Sequence, residues 1–173
     1  PGADDAQVVE RLLGAGVQAR AHLEAFAEGL GTREVVIVSR SAAPAQALAA
    51  HARTLGLAAR LAEDAQAELP HCPLVVTCTP ARAVVLRGRP RDDAFIAAVG
   101  AFTPAMLELD AQLVRHLAEH GRIVVDTTDA EHEAGDLLQA GVPAAGLTTL
   151  ADLARGTPLG QALLAGSGPV LFK

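Results

Sequence analysis

Six residues near the start of the chain, Gly14-Ala15-Gly16-Val17-Gln18-Ala19, have the G-x-G-x-x-A spacing of a dinucleotide-binding turn. The first glycine permits a tight turn, and the second removes a Cβ atom where a pyrophosphate approaches the backbone. The small Ala19 allows close packing of the following helix, whose first N–H groups point toward the phosphates. A strand pattern precedes this short motif and a helix pattern follows it. This context favours dinucleotide binding over an ordinary tight turn.

The residues that follow the second predicted strand indicate which dinucleotide is preferred. An NAD site usually has Asp or Glu at this position, about 20 residues after the glycines, to bind the ribose 2′-hydroxyl. This chain has Ser39-Arg40-Ser41 instead. A guanidinium and two hydroxyls can bind a 2′-phosphate, which a carboxylate would repel. We therefore expect NADP(H), with NAD(H) as the alternative and a solvated loop as the other interpretation of Arg40.

The elements around this motif alternate between apolar runs of strand length and alanine-rich helical stretches, the pattern of a parallel sheet covered by crossover helices. The predicted strands are Val8–Leu13, Glu34–Ser39, Ala58–Leu61, Leu74–Thr77, Phe95–Val99 and Ile123–Val125. The predicted helices are Ala19–Leu30, Pro44–Leu55, Glu108–His120, Ala130–Gln139 and Leu150–Arg155. We expect residues 1–173 to form one α/β domain, with a Rossmann-type doubly wound, mainly parallel sheet and helices on both faces.

Composition excludes several classes of function. Half of the 173 residues are hydrophobic, which is enough for a buried core. A net charge of −6 and an aromatic content of 2% argue against nucleic-acid binding, which needs a basic surface or aromatic stacking faces. No apolar run has the length of a membrane span. The two cysteines, Cys72 and Cys78, are too few for a disulfide scaffold and suit a reducing cytoplasm.

Two other clusters could in principle bind metal. His116-Leu117-Ala118-Glu119-His120 matches H-x-x-E-H and places both histidines on one helical face, but no third ligand is evident, so a solvated helix face is favoured. Five acidic residues crowd one short stretch without the spacing of a calcium loop: Asp126, Asp129, Glu131, Glu133 and Asp136. Capping of a helix by Asp129, with acids in its first turn, explains part of this cluster. We predict no metal site.

Six segments in order along the chain resemble the ornithine cyclodeaminase/μ-crystallin family. They are LLGAGVQARAHLEAF (12–26), VVIVSRS (35–41), VVTCTPA (75–81), AVGAFTPAMLELD (98–110), VVDTTDAEHEAGDLL (124–138) and PVLFK (169–173). The resemblance implies a cytoplasmic, homodimeric enzyme whose second domain, absent from this chain, binds the substrate. The Lys and Arg that hold the substrate carboxylate and assist proton transfer are expected there, so the catalytic residues are not assigned.

The resemblance also implies roles for residues of this chain. The pyrophosphate would be bound by Gly14, Ala15, Gly16, Val17 and Gln18, and the adenosine phosphate by Ser39, Arg40 and Ser41. The ribose and nicotinamide would be approached by Thr77, Cys78 and Thr79 and by Val99, Gly100 and Ala101. For Val99 and Ala101, core packing is an alternative or additional role. Phe102 and Glu133 are the candidates for the substrate side, and a surface role is equally open for Glu133.

The sequence departs at one position from the pattern of the family's cyclodeaminases, and this position bears on whether the reaction is cyclodeamination or reduction. Cyclodeaminases of this family carry G-G-D-C-P-G-K-T-E-L, in which the Asp activates water, and here Phe102 stands at that position. Phe can neither act as a base nor orient water. The resemblance therefore implies NADPH-dependent reduction of cyclic imino acids, Δ1-pyrroline-2-carboxylate to L-proline and Δ1-piperideine-2-carboxylate to L-pipecolate. The alternatives are a cyclodeaminase or amino-acid dehydrogenase of the same family, and a non-catalytic protein that binds NADPH and a small ligand.

Overall fold

The structure, a computed structural model, describes residues 9–80 and 82–173, with side chains from residue 14 onward. Its strands are β1 Val9–Leu13, β2 Glu34–Val38, β3 Ala58–Leu61, β4 Leu74–Thr77, β5 Arg82–Leu86, β6 Phe95–Ala98, β7 Leu107–Leu109, β8 Arg122–Val125, β9 Thr148–Thr149 and β10 Val170–Phe172. Its α-helices are α1 Val17–Gly29, α2 Ala42–Thr54, α3 Ala65–Glu68, α4 Ala111–His120, α5 Ala130–Glu133, α6 Gly135–Ala140, α7 Leu150–Arg155 and α8 Pro158–Ala165. A short 3₁₀ helix, Leu69–His71, follows α3.

Among the described residues, eight strands form a parallel sheet in the order β3-β2-β1-β4-β6-β10-β8-β9. The chain moves outward from β1 to β3 and then returns to place β4 on the other side of β1. This reversal is the switch point at which doubly wound sheets bind their ligands. The predicted doubly wound α/β fold is confirmed.

Two apolar clusters cover the two faces of this sheet. Neighbouring residues of one strand point to opposite faces, so Val75 packs in one cluster and Val76 in the other. Helices α1 and α2 supply one cluster through residues such as Leu23 and Leu48. Helices α4 and α6 supply the other, which includes Leu113. Strands buried on both faces explain the continuous apolar runs in the sequence.

Most predicted elements are present with ends shifted by one or two residues, and two predicted helices differ more from the structure. The helix predicted from Glu108 begins at Ala111, because Leu107–Leu109 pairs as a strand with β5 and the Asp110 side chain caps the helix by accepting from the Gln112 N–H. The helix predicted over Ala130–Gln139 is divided at Ala134, where ψ is 81° and the helical path is interrupted.

Several short elements were not predicted, namely α3, α8, β5, β7, β9 and β10, and α8 follows Leu150–Arg155, the last of the predicted helices. Strand β10 lies between β6 and β8 and pairs with both. Its three residues are too few to form a recognisable strand pattern in the sequence. Val8 of the first predicted strand lies outside the described residues, whereas Val9–Leu13 is a strand.

Candidate functional site

A cleft of about 530 Å³ lies at the carboxyl ends of β1, β2 and β4, at the switch point of the sheet. It brings together residues from three of the segments identified from the sequence, those that begin at Gly14, Ser39 and Thr77. The residues that line it are Gly14, Ala15, Gly16, Val38, Ser39, Arg40, Ser41, Glu63, Asp64, Ala65, Gln66, Cys78, Thr79, Pro80, Val84 and Val85. The lining contains both polar and apolar residues and suits a ligand with both charged and apolar parts.

The two glycines of the turn differ in what surrounds them. Gly14 has a φ of +124°, its N–H donates to the Val38 carbonyl at 3.0 Å, and a Cβ atom there would lie 3.0 Å from the backbone oxygen and the sulfur of Cys78. Gly16 has an ordinary extended φ of −90°, and a Cβ atom there would meet nothing within 4 Å. Gly14 therefore shapes the turn, whereas Gly16 leaves open space on the cleft side, as a pyrophosphate requires.

Helix α1 starts directly from this turn. It runs for 13 residues from Val17, and no side chain caps its first N–H groups, because Gly16 is the residue before it. Val17 and Gln18 are exposed at this end, whereas Ala19 is fully buried against the sheet. The uncapped N–H groups and the positive end of the helix dipole provide an anion site beside Gly16.

The segment after β2 provides the cation of the cleft. Arg40 and Ser41 are exposed, and the Ser41 N–H donates to Ser39 Oγ at 3.3 Å. Two acidic residues, Glu63 and Asp64, also line the cleft. The Asp64 carboxylate caps α3 by accepting from the N–H groups of Gln66 and Ala67, at 2.7 and 3.3 Å, while Glu63 is exposed.

The strand ends of β4 and β6 are joined beneath the cleft by a buried carboxylate that the sequence reasoning missed. Glu108, on β7, is fully buried and accepts hydrogen bonds from Thr77 Oγ1, from Thr79 N–H and Oγ1, and from Gly100 N–H. Thr79 and Cys78 line the cleft, whereas Thr77 is fully buried. The two strand-end segments named from the sequence, 77–79 and 99–101, therefore share one interior partner.

A second, smaller pocket of about 130 Å³ lies beside the end of β6. It is lined by Ala98, Val99, Ala101, Phe102, Asp126, Ala130, Glu133, Ala134, Phe172 and Lys173. Phe102 is 67% exposed at this pocket, and Glu133 is exposed as well. The sequence candidates for the substrate side thus lie around one pocket, together with Val99 and Ala101.

The cation of the small pocket is already engaged. Lys173 Nζ is buried, lies 2.7 Å from Asp136 Oδ2 and donates to the Ala98 carbonyl at 3.0 Å. The Asp136 Oδ2 atom accepts no well-directed hydrogen bond, so this contact is an ion pair. Lys173 is the single lysine of the chain, the one signal in the sequence that could have drawn attention to it.

The two clusters considered as metal ligands are not gathered into a site. His116 and His120 stack with ring centroids 4.7 Å apart on α4. Asp129 precedes α5 but makes no side-chain capping bond, so the predicted cap is wrong, and Asp136 is buried against Lys173 rather than exposed. Within residues 9–80 and 82–173, no three His, Cys, Asp or Glu side chains are grouped as metal ligands. Over the same residues, no helix is long and apolar enough to cross a membrane.

Comparison with known proteins agrees with this geometry. The model of the ornithine cyclodeaminase/mu-crystallin family matches residues 3–164. Delta(1)-pyrroline-2-carboxylate reductase 2 of Burkholderia ambifaria is 39% identical over 165 residues, which cover 94% of this chain and 49% of that protein. Ketimine reductase mu-crystallin of Mus musculus is 34% identical over 143 residues, covering 82% of this chain and 42% of that protein. The chain thus spans about half the length of the curated relatives it matches.

Solved structures share the fold. The Delta(1)-pyrroline-2-carboxylate reductase of Thermococcus litoralis, in complex with NADH and L-proline, superposes with a TM-score of 0.82 at 23% identity, over 96% of this chain and 52% of that chain. A probable ornithine cyclodeaminase from Bordetella pertussis superposes with a TM-score of 0.78 at 25% identity, over 95% of this chain and 52% of that chain.

Proposed function

The chain belongs to the ornithine cyclodeaminase/mu-crystallin family, and on this premise we propose that it forms the nicotinamide-nucleotide site of an enzyme that reduces cyclic imino acids. The observation that carries the proposal is the cleft at the switch point, where the Gly14 turn, the Arg40 segment and the end of β4 meet. Relatives at 38–39% identity that are named as Delta(1)-pyrroline-2-carboxylate reductases support the substrate class.

The residues of the cleft fit the parts of a dinucleotide. Open space beside Gly16 and the uncapped start of α1 suit the pyrophosphate. The segments 77–79 and 99–101 would flank the nicotinamide half, and the exposed Val17 and Gln18 would border the phosphates. Bound nicotinamide would supply the hydride chemistry. The protein's part is to hold it at the small pocket and to exclude water there.

Within this proposal, NADP(H) is the preferred cofactor. Residues 39–41 offer one guanidinium and two hydroxyls at the position where an NAD site usually has a carboxylate. The Asp64 carboxylate accepts hydrogen bonds from two N–H groups at the start of α3. Glu63, which is exposed, is the other acidic residue that lines the cleft. The Thermococcus protein is described with NADH and an archaeal alanine dehydrogenase with NAD, so NAD(H) is the alternative.

Reduction is favoured over cyclodeamination because Phe102, which stands where cyclodeaminases of the family have the water-activating Asp, cannot act as a base. The small pocket also has no unengaged cation among the residues that line it, since Lys173 is paired with Asp136. We therefore propose that the groups that bind the substrate carboxylate and transfer the proton belong to the half of the protein that this chain does not cover. A cytoplasmic homodimer is part of the same proposal.

The test is turnover by the full-length protein. With NADPH it is expected to reduce Δ1-pyrroline-2-carboxylate to L-proline, followed as loss of NADPH absorbance. With L-ornithine it is expected to release no ammonia, because no carboxylate stands at position 102 to activate water. Steady ornithine-dependent ammonia release would contradict the reductase assignment. Tight NADPH binding without turnover of any cyclic imine would indicate a ligand-binding protein instead.

A further inference from the structure

The carboxylate of Glu108 joins two segments that are far apart in sequence. Its Oε1 atom accepts from the N–H and the hydroxyl of Thr79, at 2.6 and 2.8 Å. Its Oε2 atom accepts from the hydroxyl of Thr77 at 2.9 Å and from the N–H of Gly100 at 2.7 Å. Each oxygen therefore has two donors. This side chain extends the connection between β4 and β6 beyond their backbone pairing, which ends with the Val99 N–H donating to the Thr77 carbonyl at 2.9 Å.

The backbone at Glu108 is also fixed by hydrogen bonds. Asp136 Oδ1 accepts from the backbone N–H groups of Glu108 and Leu109, at 2.7 and 2.8 Å. The other oxygen of Asp136 is paired with Lys173, whose ammonium group also binds the carbonyl of Ala98 on β6. The carboxylate of Glu108 is thus positioned by α6, β6 and the residue after β10, and it has little freedom to move.

The space around Gly100 shows how closely these groups fit. A Cβ atom at Gly100 would overlap the backbone of Thr79 and the carboxylate of Glu108. Of the connected segments, Thr79 lines the large cleft, and Val99 and Ala101 line the small pocket. A shift of Glu108 would therefore move the walls between the two cavities. The four hydrogen bonds of Glu108 go to Thr77, Thr79 and Gly100, so the Arg40 segment lies outside this network, whereas the Gly14 turn touches it through Cys78.

We propose that Glu108 is a positioning residue for the nicotinamide half of the dinucleotide. Fully buried, it would touch neither cofactor nor substrate. It acts through segments 77–79 and 99–101, which it holds at the spacing that receives the nicotinamide beside the small pocket. This role rests on the proposed function, because it takes the ligand of the cleft to be a nicotinamide dinucleotide.

The experiment compares binding of NADPH with binding of 2′-phospho-ADP, which lacks the nicotinamide and the ribose that carries it, by calorimetry on the full-length protein. Glu108→Gln keeps the shape of the side chain but places an NH₂ group against two donors. We expect this variant to bind NADPH about tenfold more weakly, the loss of one hydrogen bond to a charged group. The fragment is expected to bind within about twofold of wild type, since the adenosine side is untouched. Glu119→Gln, the same change on the exposed face of α4, is the control and is expected to alter neither constant.

Equal weakening of NADPH and the fragment would overturn the proposal, because Glu108 would then support the cleft as a whole. Unchanged binding of both ligands would also overturn it. If Glu108→Gln does not fold, Thr77→Val is the second test, since it removes one of the four donors to Glu108 and keeps the side-chain shape. We expect this variant to bind NADPH about threefold more weakly and to bind the fragment as wild type does. A wild-type protein that binds neither ligand would refute the proposed function itself, and this role with it.

Discussion

At the scale of single residues, the two glycines of the nucleotide turn have separable roles. Gly14 needs its positive φ and the space next to Cys78, so it contributes to folding whether or not a nucleotide is bound. Gly16 needs neither, because its backbone is extended and its surroundings are open. The fold therefore requires a glycine at position 14 but not at position 16, where we propose that the ligand requires it.

Replacing each glycine by alanine tests this difference. Gly14→Ala is expected to lower the free energy of unfolding by about 1–3 kcal/mol, the usual cost of a strained backbone conformation. Gly16→Ala is expected to leave it within about 0.5 kcal/mol of wild type. The Gly16 variant should nevertheless bind NADPH at least about tenfold more weakly, a change of 1.4 kcal/mol, because its methyl group occupies the space of the pyrophosphate. Denaturant unfolding and calorimetry measure the two effects. Tight NADPH binding by Gly16→Ala would show that the phosphates lie elsewhere.

Arg40 is expected to distinguish the two dinucleotides. Arg40→Ala should weaken NADPH binding by about 1.5–3 kcal/mol, roughly 10- to 150-fold, the contribution of a charge-assisted hydrogen bond. NADH binding should change little, because its ribose 2′-hydroxyl carries no charge. The chain has no tryptophan, so calorimetry or the fluorescence of NADPH itself is the assay. Arg33→Ala, an exposed arginine just before β2, is the matched control. Equal losses for both nucleotides would remove Arg40 from the 2′-phosphate site.

At the scale of elements, capping side chains decide where several helices begin. Asp152 and Thr149 form a reciprocal capping box at the start of α7, and Asp152 also accepts a hydrogen bond from Thr157, the cap of α8. Hydrogen bonds from the side chain and backbone of Thr149, and then from Thr157, lower the pKa of Asp152 below its usual value. One carboxylate thus links the beginnings of two consecutive helices.

The lowered pKa predicts a pH-dependent effect of Asp152→Asn. A carboxyl group whose pKa is lower in the folded state stabilises that state above its unfolded pKa of about 3.9, and the stabilisation is lost as the pH falls through the folded value. The variant should therefore melt below wild type at pH 7, and the difference should shrink as the pH is lowered toward 3. Asp129→Asn, at a helix start without a side-chain cap, should show no such difference. A difference in Tm that is constant with pH would contradict this account.

At the scale of the whole molecule, this chain carries the parts of a nucleotide site but few groups that could hold an anionic substrate. The small pocket presents Asp126 and Glu133, and its one cation, Lys173, is paired with Asp136. Exposed apolar side chains such as Phe102 and Leu164 lie on the surface of the described chain. Because the chain spans half the length of its relatives, we place the substrate-orienting groups outside it.

The 173-residue chain expressed by itself is therefore expected to bind NADPH but not to reduce imino acids. Orientation of bound reactants accounts for about 7–11 kcal/mol of a barrier, so its loss should remove nearly all of the rate. The fragment should also self-associate through its exposed apolar surface, which light scattering would detect. The decisive measurement is NADPH consumption with Δ1-pyrroline-2-carboxylate, compared with the full-length protein. Comparable rates would place the catalytic groups within these residues.

The sequence by itself determined the fold class, the nucleotide turn and the segments at the strand ends. These features depend on local signals: apolar runs of strand length, glycine spacing, and residues that directly follow a strand. Because the carboxyl ends of parallel strands share one edge of the sheet, knowing the strands was enough to expect that Gly14, Arg40 and Thr79 would lie together.

The tertiary structure alone decided the short strands and the buried polar network. The sequence predicts that Glu108 and Leu109 begin a helix, and they belong to a strand only because β5 lies beside them. In the sequence, Glu108 looks like an acidic residue at the start of a helix. In the structure, its side chain binds Thr77, 31 residues away, and its backbone N–H donates to Asp136, 28 residues away. A buried carboxylate is tolerated only where donors from several elements converge on it, and such convergence leaves no periodic trace in the sequence.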